Sequence, residues 1–208
     1  MGKRLERREK QQQAVLRCAA ELLSDHSAES VKITDLAAKM QCSVGGLYRY
    51  YPSKEAIFAA LQIQALTELQ RTLDFRIETD LSSQDGYSWS LVETLFDTWA
   101  YFENEKPTLA NALNRFAWRS DAILSDDEQR MVGRKVLDII EILEVNLQQL
   151  TAQNVLTDGD SKIRAYTLWG MVFGLLQLKQ RQTSGLPNLP VRDIRTSYLN
   201  DLRRSWAC

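Results

Sequence analysis

Apolar residues recur at helical spacing along most of the chain, and glycine or proline interrupts them at few points. Neither residue occurs over positions 53–85, 108–132 or 134–158, and such unbroken stretches favour helices. The alternation of apolar and polar positions that is typical of strands is absent. The pattern therefore predicts an all-α fold of about nine helices, over residues 7–24, 35–40, 44–51, 54–78, 88–105, 108–119, 126–154, 161–183 and 191–206.

Three residues suited to capping helix N-termini divide the first third of the chain. Thr34 precedes one short predicted helix, and Ser43 precedes a second one. Pro52 ends the second helix, and Ser53 opens the long helix that follows. Two short capped helices joined by a tight turn and packed on a first helix form the layout of a helix-turn-helix. Any other three-helix packing unit would show the same helix lengths.

Charge is unevenly distributed, although the whole chain has a net charge of only −1. Residues 1–55 carry ten lysines and arginines against seven acids, whereas the remainder carries sixteen against twenty. The N-terminal quarter is thus net positive, as a surface that binds phosphates must be. The basic run from Lys3 to Lys10 also contains Glu6 and Glu9. It fits equally well an arm in a DNA minor groove and a solvated end of the first helix.

Composition argues against several classes of function. The longest apolar run, residues 168–176, is far shorter than the ~20 residues of a membrane-spanning helix, and no signal peptide is recognisable. We therefore expect a cytoplasmic protein with no membrane partner. Three widely spaced cysteines predict no disulfide framework. The single histidine, His26, lies in a polar loop, so we expect no metal site, no cofactor and no catalytic residues.

A motif over residues 33–57 carries the strongest functional signal. It combines a Leu-Ala pair in a short helix, a serine cap, an aromatic cluster before a proline, and a Ser-Lys-Glu start to the next helix. Together with the apolar stripe of the first helix, this segment resembles the TetR family, the tetracycline-repressor-like transcriptional regulators. The matching residues are Thr34, Leu36, Ala37, Ser43, Leu47, Tyr48, Tyr50, Tyr51, Ser53, Lys54, Glu55 and Ile57.

The resemblance implies an architecture and a mode of action. It predicts a helix-turn-helix DNA-binding domain over residues 1–55 and a helical domain over residues 56–208 that binds a ligand and dimerises. The homodimer would bind a palindromic or near-palindromic operator in double-stranded DNA. Two loops depart from the family pattern: Gln41-Cys42 replaces the usual Gly-Val of the turn, and no glycine separates the first two helices.

The third predicted helix also supports DNA binding by its own residue pattern. Val44, Leu47 and Tyr51 share the face expected to pack inward, whereas Gly45 and Arg49 point away from it. Two glycines in a short helix cost about 1 kcal/mol each relative to alanine, and their missing side chains let the backbone approach base edges. A loose, irregular helix is the alternative interpretation. The expected DNA-binding residues, several with hydroxyl or basic groups that bind phosphates, are Thr34, Ser43, Val44, Gly45, Gly46, Tyr48, Arg49, Tyr50 and Lys54.

Aromatic side chains concentrate in the second half of the chain, on several predicted helices. Plain core packing is one interpretation, and the walls of an effector pocket are the other. The second interpretation favours a small apolar or aromatic effector, and Arg115 and Arg119 leave room for a single carboxylate. The expected ligand-binding residues are Trp99, Phe102, Asn114, Phe116, Tyr166 and Trp169.

The last two predicted helices form an antiparallel pair whose apolar stripes are too large to leave exposed on a monomer. Gly170 and Gly174, one helical turn apart, allow another helix to approach closely. The resemblance places the homodimer interface on these two helices. The residues expected there are Leu168, Met171, Val172, Leu175, Tyr198 and Leu202.

These features predict a DNA-binding transcriptional regulator, a repressor that a small hydrophobic ligand releases from its operator. A DNA-binding protein of the same fold, controlled by a protein partner rather than a small molecule, is the first alternative. A helical enzyme is the second alternative, and it is a poor one because no paired acid and base, phosphate loop or metal set occurs in the sequence.

Overall fold

The computed structural model describes residues 2–84, 86–116, 124–183 and 190–208. This part of the chain contains nine α-helices and no β-strand, so the predicted all-α fold is confirmed. None of the described helices is both long and apolar enough to cross a membrane. The helices are α1 (Gly2–Asp25), α2 (Ile33–Lys39), α3 (Val44–Tyr48), α4 (Lys54–Ser83), α5 (Trp89–Glu105), α6 (Pro107–Phe116), α7 (Asp126–Ala152), α8 (Ser161–Thr183) and α9 (Val191–Trp206).

Several helix ends differ from the prediction for local reasons. α3 ends at Tyr48 because Pro52 has no N–H group and disfavours helical torsion angles at the residue before it. α4 continues to Ser83 because the next helix-breaking residue is Gly86. α1 begins at Gly2, which makes it longer than predicted. The end of the helix predicted over residues 108–119, including Arg119, lies outside the described residues.

The chain divides into two compact units. The first comprises Met1–Glu68 and Phe102–Val136, and the second comprises Leu69–Tyr101 and Leu137–Cys208. The first unit therefore contains the segment predicted as the DNA-binding domain and adds to it the start of α4, the end of α5, all of α6 and the start of α7. Helices α4, α5 and α7 each contribute residues to both units.

The core of the first unit forms around the apolar face of α1. Val15, Ala19 and Leu23 of this helix are fully buried, and α1 packs against α6 and α2. Phe58 of α4 meets Phe116 of α6 with ring centroids 5.4 Å apart. Complete burial of an aliphatic or phenyl side chain contributes about 1.5–3 kcal/mol relative to exposure, so this cluster dominates the stability of the unit.

Arg115 fastens α6 to the end of α1. Its Nε donates to the carbonyl oxygen of Leu23 at 3.2 Å, and one terminal nitrogen donates to that of Ser24 at 3.2 Å. The last carbonyls of a helix have no partner within the helix, and a cation is also favoured there by the helix dipole. This guanidinium therefore has a structural role in the first unit.

Polar side chains tie the helices of the second unit together. The guanidinium of Arg195 on α9 forms a two-pronged ion pair with Asp97 on α5, and this hydrogen bonding raises the pKa of Arg195. The carboxylate of Asp80, near the end of α4, accepts hydrogen bonds from the hydroxyls of Ser90 and Thr94, each at 2.9 Å. Both α4 and α9 are thereby anchored to α5.

A clasp, formed by residues 155–160 together with the last residues of the chain, closes the second unit. The Thr157 N–H donates to the Trp206 carbonyl at 2.8 Å, and the Cys208 N–H donates to the Val155 carbonyl at 3.2 Å. Arg164 is buried beneath it, donates to the Thr157 carbonyl at 2.8 Å, and lies 5.3 Å from the centre of the Trp206 ring. The clasp is thus organised around one buried cation.

Replacing that cation tests the clasp. Arg164→Ala should lower the free energy of unfolding by about 2–4 kcal/mol, because hydrogen bonds from a charged group and the packing of its stem are both removed. Urea unfolding at a fixed protein concentration measures the change. Arg192→Ala, at an exposed position on α9, is the matched control and should change stability by less than about 0.5 kcal/mol. Equal effects of the two substitutions would contradict the assignment.

Candidate nucleic-acid interface

The start of α2 differs from the prediction in its cap. The helix begins at Ile33, and the Lys32 N–H donates to the carboxylate of Asp35 at 2.9 Å. Thr34 therefore lies in the first turn, and the expectation that it caps the helix is wrong because Asp35 takes up the orphan N–H instead. The Thr34 side chain is exposed and can still reach an outside partner.

The turn between α2 and α3 requires an unusual backbone conformation. Gln41 has φ 51°, in the left-handed region, and the Cys42 N–H donates to the Ala37 carbonyl at 3.0 Å. This geometry closes the C-terminus of α2, and glycine adopts it without strain. The structure thus gives a physical reason for a glycine in such a turn, and it shows that this chain forms the turn without one.

Two cysteines near this turn differ in environment. Cys42 is exposed, whereas Cys18 on α1 is half-buried. Burial, with a smaller contribution from Glu21, raises the pKa of the Cys18 thiol. A raised pKa disfavours the thiolate, so Cys18 behaves as an apolar packing residue.

Helix α3 is capped as predicted and held by one fully buried residue. The Ser43 hydroxyl accepts from the Gly46 N–H at 3.1 Å, and the side chain of Leu47 is entirely buried. Burial raises the pKa of the phenol of Tyr51, which follows α3 and packs against the core of the first unit. Leu47 and Tyr51 thus fix the inner side of the segment.

The opposite side of α3 faces outward. Gly45 and Arg49 are exposed, and 46% of the Tyr48 surface is accessible. Val44 and Tyr50 are half-buried, and Gly46 is buried rather than on the flank expected from the sequence. The recognition surface that α3 presents is therefore built on Gly45, Tyr48 and Arg49, with the Ser43 hydroxyl at its edge.

The two glycines of α3 have different surroundings. A Cβ atom built on Gly46 would lie 3.4 Å from the Ser43 hydroxyl oxygen and 3.7 Å from the Cys42 Cβ. One built on Gly45 would meet nothing closer than 4.0 Å. The protein itself therefore leaves space for a side chain at Gly45, and no contact among the described residues requires a glycine there.

The N-terminus of α4 lies at the end of the helix-turn-helix. The Ser53 hydroxyl accepts from the Ala56 N–H at 2.9 Å, which confirms the predicted cap. The Lys54 ammonium donates to the Val31 carbonyl at 3.2 Å and lies 5.5 Å from the centre of the Phe58 ring. Lys54 therefore joins the start of α4 to the segment before α2, and its remaining N–H groups can still meet a phosphate.

The residues expected to bind an effector are not brought together at one place. Trp99 and Trp169 line a cavity of about 40 Å³ in the second unit. Phe102 and Phe116 are fully buried parts of the first unit, and Asn114 is half-buried on α6. Tyr166 is 43% exposed. The other residues around the cavity are Leu69, Leu73, Leu95, Thr98, Ile139, Leu143, Leu168 and Val172, most of which sequence reasoning missed.

The residues expected at the dimer interface also lie in different environments. Leu168 and Leu202 are buried within the protomer, and Val172 lines the cavity. Met171, Leu175 and Tyr198 are half-buried. A different face of α8 is open, since the accessible fractions of Ile163 and Tyr166 are 63% and 43%, and Cβ atoms built on Gly170 and Gly174 would meet nothing within 4 Å.

Comparison with known proteins agrees with this geometry. Residues 15–61 match the model of the bacterial regulatory proteins of the tetR family. The nucleoid occlusion factor SlmA of Shewanella sediminis (strain HAW-EB3) is 24% identical over 145 residues, which are 70% of this chain and 68% of that protein.

Two solved structures share the fold. The TetR-family regulator PfmR of Thermus thermophilus superposes with a TM-score of 0.70 at 18% identity, over 92% of this chain and 97% of that one. AibR, crystallised with isovaleryl coenzyme A and operator DNA, gives a TM-score of 0.66 at 18% identity, over 91% and 96% of the two chains.

The described residues form an all-helical fold in which a capped helix-turn-helix presents an exposed polar face. Together with the family match over residues 15–61, this fold defines a DNA-binding transcriptional regulator. The segment that forms this helix-turn-helix, residues 15–61, matches the tetR family of bacterial regulatory proteins, and the described residues share the fold of the TetR-family regulator PfmR.

The strained turn provides a first prediction for this site. Gln41→Gly should raise the free energy of unfolding by about 0.5–1 kcal/mol, because glycine avoids the left-handed penalty but loses more chain entropy on folding. Urea unfolding measures the difference. Gln148→Gly, at an exposed position inside α7, should instead lower stability by about 1 kcal/mol. A loss of stability in both variants would show that the turn carries no strain.

The open space at Gly45 provides a second prediction. Gly45→Leu should fold normally and weaken operator binding roughly tenfold or more, since even one base contact contributes about 1–3 kcal/mol. Fluorescence anisotropy with an operator selected from random DNA measures the affinity. Gly133→Leu on α7, where a Cβ also has open space, should bind the operator like the unmodified protein. Normal binding by Gly45→Leu would rule out close approach of the α3 backbone to the bases.

Proposed function

We propose that the protein is a homodimeric repressor that a small, neutral, apolar molecule releases from its operator. The observation that carries the effector class is the lining of the cavity in the second unit. Nine of its ten lining residues are apolar, and the exception, Thr98, donates its hydroxyl proton to the Thr94 carbonyl at 2.7 Å. Among the described residues, no charged side chain lines it. A charged ligand there would lose its hydration without gaining a partner.

The size of the cavity restricts the effector further. A volume of about 40 Å³ holds only a few water molecules, whereas pockets for drug-sized ligands measure roughly 300–1,000 Å³. The effector must therefore be compact, or it must enlarge the space by separating the surrounding helices. A ligand shifts a conformational equilibrium only if it binds one state more tightly than the other. A ligand that separates the helices would favour the state in which they are apart, and this is how it would act as an inducer.

The structure argues against Arg115 as the residue that binds a carboxylate of the effector. Arg115 donates to the Leu23 and Ser24 carbonyls in the first unit, so its guanidinium is committed to the end of α1. Among the described residues, the polar end of an effector in the cavity would then meet hydroxyl and indole groups such as those of Thr98, Trp99 and Trp169. A neutral aromatic or short aliphatic molecule suits that lining.

Two helices offer a route from the cavity to the DNA-binding segment and to the dimer helices. α4 carries Lys54 at its start and the cavity residues Leu69 and Leu73 further along. α5 carries the cavity residue Trp99 and, two residues before it, Asp97, which holds α9 through Arg195. A preference for the non-binding state worth about 1–3 kcal/mol would lower DNA affinity roughly 5–150-fold.

The open face of α8 supports a dimer of identical chains. Ile163 and Tyr166 would bury apolar surface there, and Gly170 and Gly174 would let a second helix approach closely. A two-fold axis would bring the same face of a second copy against it, since isologous contacts are self-complementary. Such a dimer would carry two copies of α3 for the two halves of a palindromic site.

Control by a protein partner is the second candidate function. The small size of the cavity favours it, because a space of about 40 Å³ is far smaller than the roughly 300–1,000 Å³ of pockets for drug-sized ligands. The similarity to SlmA, which is named as a nucleoid occlusion factor, also supports this candidate. In that case the open surfaces of the second unit would receive the partner.

One experiment separates the two candidates. Toluene and indole should lower affinity for the selected operator about 5–150-fold, whereas benzoate at the same concentration should not, because the cavity offers no cation. Val172→Phe should fill the cavity and abolish the response while retaining DNA binding. Val145→Phe, at an exposed position of α7, should respond normally.

The possible failures of this experiment have different meanings. If no neutral compound changes DNA affinity and Val172→Phe behaves like the unmodified protein, the protein-partner function replaces the effector. A response to benzoate equal to that of toluene would overturn the neutral class alone. Failure to recover any bound DNA sequence from a random pool would contradict the proposed repressor function itself.

A further inference from the structure

The first ten residues of α1 form a helical extension with no packing role. Every side chain described over residues 2–11 is exposed, whereas full burial on this helix begins at Val15. We call residues 2–11 the basic extension. An exposed helical end of this kind frays unless a partner holds it. The composition of the basic extension therefore indicates which partner it is suited to bind.

The helix separates charges that interleave in the sequence. At 3.6 residues per turn, Arg4, Arg7 and Arg8 fall within an arc of about 100°. Glu6 and Glu9 fall outside this arc. The helical extension therefore presents one clearly basic side, which the sequence alone left in doubt.

The local electrostatics of this basic side are unfavourable in the free protein. Arg4 is one helical turn from both Arg7 and Arg8, and like charges at these spacings destabilise a helix by about 0.2–0.5 kcal/mol per pair. The first turn of α1 contains no acid, although the N-terminus of a helix favours acids over bases. Among the described residues none forms an ion pair with these three arginines. A polyanion would relieve this repulsion.

Hydrogen bonds fix where the basic extension leaves the folded protein. The Gln12 side-chain N–H donates to the Tyr50 carbonyl, just after α3, at 3.4 Å. The Gln13 side-chain carbonyl oxygen accepts from the Gln64 side-chain amide on α4 at 2.9 Å. The extension therefore begins beside the end of the recognition helix, next to the exposed Tyr48 and Arg49.

We propose that Arg4, Arg7 and Arg8 of the basic extension bind the phosphates of duplex DNA beside the bases that α3 contacts. The proposal rests on the DNA-binding function of the helix-turn-helix and extends it. Charge complementarity selects the partner, since duplex DNA carries the dense row of negative charge that matches a basic helical side. Phosphate contacts carry no sequence information, so the extension would strengthen binding to all sequences alike.

The test removes the three charges from the full-length protein. Arg4→Gln/Arg7→Gln/Arg8→Gln should make the plot of log affinity against log salt concentration shallower by about 0.9 for each phosphate that the variant no longer binds. The change should be the same for the selected operator and a scrambled duplex. Arg130→Gln/Arg134→Gln/Arg192→Gln removes the same charge from exposed positions on α7 and α9 and should keep the original slope.

Duplex length gives an independent readout. The unmodified protein should bind a duplex that ends at the selected site more weakly than one extended by a helical turn on each side, and the triple Arg→Gln variant of the extension should not distinguish them. The thermal unfolding temperature of that variant should be unchanged or higher, because repulsion between the arginines of α1 is removed.

Three outcomes would overturn the proposal. The first is an unchanged salt slope in a variant that folds, and the second is a change in sequence preference without a change in slope. The third is that the triple variant no longer binds vesicles of anionic lipid, which the unmodified protein binds, while its DNA binding is unaffected. This result would assign the basic extension to a membrane surface. If the unmodified protein binds no duplex at all, the DNA-binding function fails rather than the extension.

Discussion

Burial of one face of α1 is the constraint on which the DNA-binding segment depends. Helix α3 has five residues, far fewer than the roughly 12–15 at which an isolated helix becomes marginally stable. Its shape is therefore imposed by packing, through Leu47 in the same core as Val15 and Leu23. Because α6 and the start of α4 complete that core, the exposed face of α3 keeps its orientation only while all four helices remain packed.

Local features of the fold were predictable because their causes are local. Ser43 and Ser53 cap helices as expected, since a hydroxyl before an apolar stripe has one favourable use there. The same reasoning failed at Thr34, because two polar residues competed and the carboxylate of Asp35 reached the free N–H. The helix-turn-helix motif of residues 33–57 was specific enough to identify the class of protein.

Features that depend on which helices become neighbours were much harder to predict. Phe116 belongs to the core of the first unit, Phe102 is buried in the same unit, and Trp99 and Trp169 line a cavity in the second, yet all four look alike in the sequence. Leu168 and Leu202 carried the apolar stripes assigned to a dimer, but they face inward. An apolar stripe shows that a surface is buried and does not show which partner buries it.

The clasp in the second unit determines how readily its backbone amides should exchange hydrogen with solvent. Segments with few buried contacts open often and exchange quickly. Here the amide of Cys208 and the carbonyl of Trp206 are engaged with residues 155 and 157, above the buried Arg164. Exchange of the Thr157 and Cys208 amide hydrogens with solvent therefore requires part of the folded unit to open, so its rate reports on how often the connection between α7 and α8 opens.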